Sequence, residues 1–245
     1  MSEIFKTVSD FIESERSRFS NKHNNMFAIS LSQPMRYRDF LRILIEQHER
    51  TSETYARYSK AHWDSLLSGS HPLTNEQLSI LEKMNETVLV LQLEIESFYL
   101  FAKILLDRVA HFLEFYFGAA RKMSFDSHDQ LTKNIVNYST LKDISLTSDL
   151  LDMLKMLKRD ISDHRDYEIA HEKSPRTTRC TFLTLDGKAS IISSQFYPTE
   201  PFKQSQTKPL KELIGEIDLY LEMVITLVRN NRDKTNLNLE ADTTP

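Results

Sequence analysis

The sequence predicts an all-α protein: a helical bundle with a very long central helix and a small β-hairpin appendage. Three observations carry this. Apolar residues recur three and four apart over most of the chain, the period of a helix face. Only four glycines occur in 245 residues, too few for a Gly-rich phosphate loop, a dinucleotide fingerprint or a strand-dense sandwich. A helix-start signature at Thr74 opens a run with no breaker before Gly118.

Ile4, Phe5, Val8, Phe11 and Ile12 lay one apolar stripe on a first short helix. The polar stretch that follows, ending near Pro34, reads as a connection, so residues 1–33 form a docking helix and linker. The spacing of Tyr37, Phe40, Leu44, His48, Tyr55 and Tyr58 predicts a second helix from Pro34 to Leu67, stopped by Gly69 and Pro72. Thr74 and Gln77 then have capping-box spacing, in which each side chain satisfies a backbone N–H of the other. From there Leu78, Leu81, Val88, Leu91, Ile95, Phe98, Leu105 and Phe112 predict a rod of roughly 60 Å at 1.5 Å per residue. Its second half is apolar on nearly all sides and must be surrounded by other helices or by a second copy of the chain.

Residues 119–147 read as loop with one short helix. Leu150, Leu151, Leu154, Leu157 and Ile161 begin another amphipathic helix, expected to run through Arg165 and to end between His171 and Pro175. Beyond it, two β-rich runs flank Asp186-Gly187, a dipeptide suited to a type I′ turn, and predict a hairpin at 178–196. Leu210, Leu213, Ile217, Leu221, Val224 and Val228 build a last helix. The bundle thus spans 34–230, and 231–245 is expected to be a flexible tail.

The formal charge of -4 argues against sequence-blind adhesion to nucleic acid. Cys180 stands alone, which excludes an internal disulfide and a multi-cysteine metal site. The longest apolar runs are interrupted by charge, so no membrane span is expected. The acid-bearing opening MSEIFKTVSDFIESE does not read as a secretory leader, and a cytoplasmic location follows as an expectation.

The densest run of titratable groups is Asp163 to Arg176, where an amphipathic helix reaches its end. Several Arg-to-His spacings of similar length occur along the chain, but requiring an acid directly after the arginine leaves Arg159-Asp160 and Arg165-Asp166. Position favours the second, because the helix-ending HEKSPR follows it. Taken with the long helix before it, this segment is similar to bacterial-type members of the HEPN superfamily. Their signature is an arginine, a polar residue and then a histidine, here Arg165, Asp166 and His171. The resemblance covers residues 75–230, and the hairpin departs from the minimal bundle.

What the resemblance implies is cleavage of RNA without metal or other cofactor, at a site assembled between two identical chains, and in some members a nucleotidyltransferase-like antitoxin as partner. The residue types suit that chemistry. His171 would act as base toward a ribose 2′-hydroxyl, Arg165 would stabilise the phosphate, and Asp166 would orient one of them. Asp107 on the spine would pair with Arg165 or fix a histidine. Lys173, Arg176 and Arg179 would line an RNA groove, although a solvated hairpin surface explains them as well. Residues six apart on an α-helix point about 120° from each other, so either the helix unwinds before His171 or a partner chain completes the site. The same charges also suit an ion-pair network that locks helix register.

Two other readings use the same features. His164, Glu168 and His171 fall at i, i+4 and i+7 and would share a face able to ligate a metal, with Asp107 and His111 a second pair on the spine. Alternatively the chain is a non-catalytic helical interaction module, for example the partner of a nucleotidyltransferase-like antitoxin, as the resemblance allows.

Overall fold

Thr74 starts the spine as its spacing predicts. Its hydroxyl accepts the Gln77 N–H at 3.3 Å while the Gln77 side chain accepts the Thr74 N–H at 2.7 Å. The computed structural model describes residues 3–67, 74–120, 123–166, 176–185, 188–198 and 208–239, with the backbone alone over 176–198. It is mostly helical, with helices α1 (Glu3–Arg16), α2 (Asn21–Leu67), α3 (Asn75–Phe117), α4 (His128–Lys142), α5 (Ser148–Leu157) and α6 (Leu210–Asn230). A π-helix, Lys158–Asp163, continues directly from α5, and a 3-10 turn, Arg232–Lys234, follows α6. The backbone segments β1 (Arg176–Leu185) and β2 (Lys188–Pro198) pair antiparallel, with a register shift between Thr181 and Phe182.

The helices α2 and α3 run antiparallel. Glu94 of α3 accepts from Thr51 at 2.8 Å and lies 3.3 Å from the His48 ring, while Gln77 donates to the Ser65 carbonyl at 2.9 Å. Only one end of this hairpin enters the core. Phe98, Ala102, Leu105, Leu106, Val109, Phe112 and Tyr116 are buried there among residues of α1, α2, α4, α5 and α6. This is the surrounding the apolar second half of α3 requires.

Two expectations along the chain are overturned. The stretch before Pro34 is helix, not a linker, and α2 starts at Asn21 with Pro34 inside it. Phe27, Leu31 and Met35 are buried at helical spacing, and Phe27 packs on Phe11, Phe19, Phe112 and Tyr116. That burial outweighs the proline and the polar composition. The second correction concerns the tail, which is docked over Asn231–Leu239. Leu237 is buried, the Asn236 N–H donates to the Tyr116 carbonyl at 2.8 Å, and Phe19 and Leu239 form an antiparallel bridge. Gly118, at φ +82°, makes room for it, since a Cβ there would sit 2.7 Å from Asn236 Cγ.

No described helix is long and apolar enough to cross a membrane.

Candidate functional site

The segment carrying the Arg-Asp pairs does not wind as an α-helix. From Lys158 to Asp163 it is π-helical, and π winding recurs at 165–166. In a π-helix the bonded partners are five apart, so side chains five apart face one another. Lys158 and Asp163 show this directly, their charged atoms lying 2.5 Å apart. An expanded turn slips the phase of all that follows, by roughly 100° for each residue inserted into a 3.6-residue helix. The face presented by Arg165 therefore cannot be read by extending the wheel of Leu150 to Leu157, and the expectation of a continuous α-helix through Arg165 is corrected. Such expanded turns are rare and concentrate at functional sites.

Each cation on this turn is held by an aspartate. Arg159 is forked onto Asp160, with Nε and Nη2 at 2.5 and 2.9 Å from the two carboxylate oxygens. Lys208, just before α6, lies 3.0 Å from Asp160 and also pairs closely with Glu216. Burial would raise the Asp160 carboxyl, but the hydrogen bonds from Arg159 and Lys208 outweigh it and hold the group below the usual range. Desolvation likewise works against the Lys208 charge and is overcome by Glu216 and Asp160. Behind this pair His164 is buried and stacks on Tyr99, ring centres 4.2 Å apart. Burial, and then the nearby Asp160 charge, push the Tyr99 hydroxyl well above its ordinary range.

Arg165 differs from Arg159. Among the described residues its one ionic contact is Nη1 to Asp166 at 2.7 Å, and both side chains are about a third exposed, 34% and 31%. A guanidinium has five N–H donors in a planar fork, so Arg165, oriented by its neighbour and a third exposed, has more donors than Asp166 takes up. His171, Glu168 and Lys173 lie outside the described residues, as do the side chains of Arg176 and Arg179. Asp107 is not joined to Arg165. Its Oδ1 accepts the His128 N–H at 2.8 Å, at the first turn of α4 where negative charge is favoured, and pairs with Lys103 at 3.0 Å. His111 faces the Asp126 carbonyl at 2.9 Å, so the Asp107 and His111 pair does not converge. Among the described residues no group of three His, Cys, Asp or Glu side chains is placed to hold a metal. The i, i+4, i+7 alignment of His164, Glu168 and His171 also presupposes α winding.

Sequence reasoning weighed Arg159-Asp160 and set it aside on position, and it passed over Lys208 and Glu216 as partners of Asp160. Arg159 is adjacent to Asp160 in the chain, but Lys208 arrives from just before α6 and Tyr99 from α3, so no local spacing announces the rest of the cluster. The aromatic group of α3 is core, as its helical spacing suggests, with Phe98, Tyr99, Phe112, Tyr116 and Phe117 all buried. Set against known protein families, curated proteins and solved structures, the chain matches none of them.

Proposed function

We propose that this chain is a HEPN-like RNA-acting protein, a metal-independent endoribonuclease whose site is completed across a homodimer. The observation that carries the reading is Arg165, on a π-distorted helical segment, a third exposed and paired among the described residues with Asp166. The alternative pair, Arg159 and His164, is a poorer candidate. Its guanidinium is forked onto its own aspartate, and its imidazole is packed on Tyr99 where a ribose cannot reach it.

In the proposed reaction a phosphate takes up the remaining donors of Arg165 while Asp166 keeps the guanidinium plane fixed. His171, supplied by the partner chain, accepts the proton of the ribose 2′-hydroxyl as that oxygen attacks the adjacent phosphorus. The bond from phosphorus to the 5′-oxygen breaks and that oxygen is protonated, leaving a 2′,3′-cyclic phosphate and a 5′-hydroxyl. Lys173, Arg176 and Arg179 serve as phosphate contacts on the 178–196 hairpin side, in a protein working in the cytoplasm. Local charge at the described part of the site is balanced, since Lys158, Arg159 and Arg165 each face an aspartate. RNA is therefore captured by fit and by displacement of water, not by a broad basic field.

The test is cleavage of a single-stranded RNA in EDTA. Wild type gives cyclic-phosphate ends, and Arg165→Ala and His171→Ala each lose about 100-fold or more with unchanged helix content. Equal cleavage by the variants, or an absolute need for a divalent ion, rejects the proposal.

A second reading, a helical interaction module, is favoured by one observation. Leu89 and Leu93 of α3 are 66% and 63% exposed on a helix whose opposite face already packs on α2.

A further inference from the structure

Where α2 and α3 leave the core they form a two-helix arm. Each helix of such an arm needs one apolar face, turned to the other, and a polar face turned to water. The inner face of α3 obeys this: Thr87, Leu91, Glu94, Ile95 and Phe98 are buried. The outer face does not. Leu89, Leu93 and Leu100 fall at i, i+4 and i+11, on one side of the helix over about 17 Å, and all are exposed. Single exposed leucines need no explanation, whereas a row of them on an otherwise solvated helix marks a contact surface.

Charge says what kind of contact. Glu82 and Glu86, seven and three residues before Leu89, share this face and are exposed. Over 75–100 the charged residues are Glu76, Glu82, Glu86, Glu94 and Glu96 against Lys83 alone. A second copy of the chain laid on this face sets glutamates against glutamates when the helices run parallel and, when they run antiparallel about Leu93, sets Glu86 against Leu100, and both cost affinity. An anionic membrane surface is repelled for the same reason. A helix with leucine-like residues on one side and lysine or arginine flanking them meets both the apolar row and the acids.

We infer that the outer face of α3, built on Leu89, Leu93 and Leu100 with Glu82 and Glu86, docks a basic amphipathic helix of a partner protein. This rests on reading the arm as an interaction module and is independent of RNA cleavage.

The probe is a fluorescein-labelled leucine/lysine amphipathic peptide of about 18 residues, roughly 27 Å of helix, titrated with the full chain. A leucine/glutamate peptide of the same pattern is the comparison. The leucine/lysine peptide binds saturably, and Leu93→Ser weakens it about tenfold or more, as loss of one buried leucine implies. The double variant Glu82→Lys, Glu86→Lys shifts preference to the leucine/glutamate peptide. Binding of the basic peptide that ignores Leu93→Ser is charge adhesion alone and overturns the inference. Preference of wild type for the acidic peptide overturns the basic partner while leaving an interaction module. No binding of either peptide at about 100 μM, or self-association abolished by Leu93→Ser, overturns the docking of a partner helix on this face.

Discussion

His128 shows what a single buried group does to this fold. Its ring is fully buried at the start of α4, edge-on to Tyr220 at 5.8 Å, and Lys103 and Lys158 lie close enough to disfavour a further positive charge. Burial first, then those two lysines, bring its pKa down from 6.5 to about 3. The unfolded chain therefore takes up a proton near pH 6.5 that the folded chain refuses until about pH 3. Stability is complete above the unfolded value and is lost as pH falls through that window, at about 1.4 kcal/mol per pH unit. Urea unfolding between pH 6 and pH 4 checks this: His128→Phe flattens the dependence by that slope, and parallel curves for variant and wild type contradict it. None of this is legible in the sequence, where His128 sits in a polar stretch, SFDSHDQ, that reads as loop. Arg165 and Asp166, by contrast, were legible as a pair because they are adjacent in the chain, and adjacency needs no knowledge of the fold.

Between elements, a few charged clamps set which helix meets which. Arg38 of α2, nearly buried, is held by Asp218 of α6 through two contacts, Nε at 2.9 Å and Nη2 at 2.6 Å. That bidentate bond, against the cost of burial, holds the guanidinium above its ordinary pKa. Asp218→Ala leaves a buried cation without its partner and is expected to cost roughly 3 kcal/mol. The double variant Arg38→Met, Asp218→Leu recovers most of that, because it removes both charges while keeping the volume. Chemical denaturation of the three proteins checks both expectations, and a double variant no better than the single one contradicts them. Glu15 of α1, fully buried, does similar work at the other end, gripped by Arg18, Arg232 at 2.8 Å and the Tyr116 hydroxyl at 3.0 Å. The helices themselves were largely legible, since Leu210 to Val228 and the Thr74 capping box are local patterns. The winding of Lys158–Asp163 was not. Ile161 is its one large apolar residue, so no periodicity exists there to distinguish five-residue from four-residue pairing.

For the whole molecule, the division of α2 and α3 into a buried half and an exposed arm separates two possible tasks. The core end carries the π-turn with Arg165, and the arm carries the leucine row. The sequence made plain both the length of α3 and that its apolar second half needs covering, but not which elements cover it, because that depends on where α1, α4 and α6 dock. It also misjudged the ends of the chain, because local polarity hid apolar residues that only the fold brings together: Phe27, Leu31 and Met35 are buried along α2, Leu237 is buried, and Phe19 bridges to Leu239. The central claim, a ribonuclease site shared by two copies, makes a demand no single-chain site makes. Arg165→Ala and His171→Ala are each expected to be inactive, and the two are mixed under conditions in which chains exchange. If arginine and histidine come from different copies, each mixed dimer has one intact site and one doubly damaged site, so RNA cleavage returns to about a quarter of wild type. Two inactive proteins that stay inactive after exchange contradict the shared site.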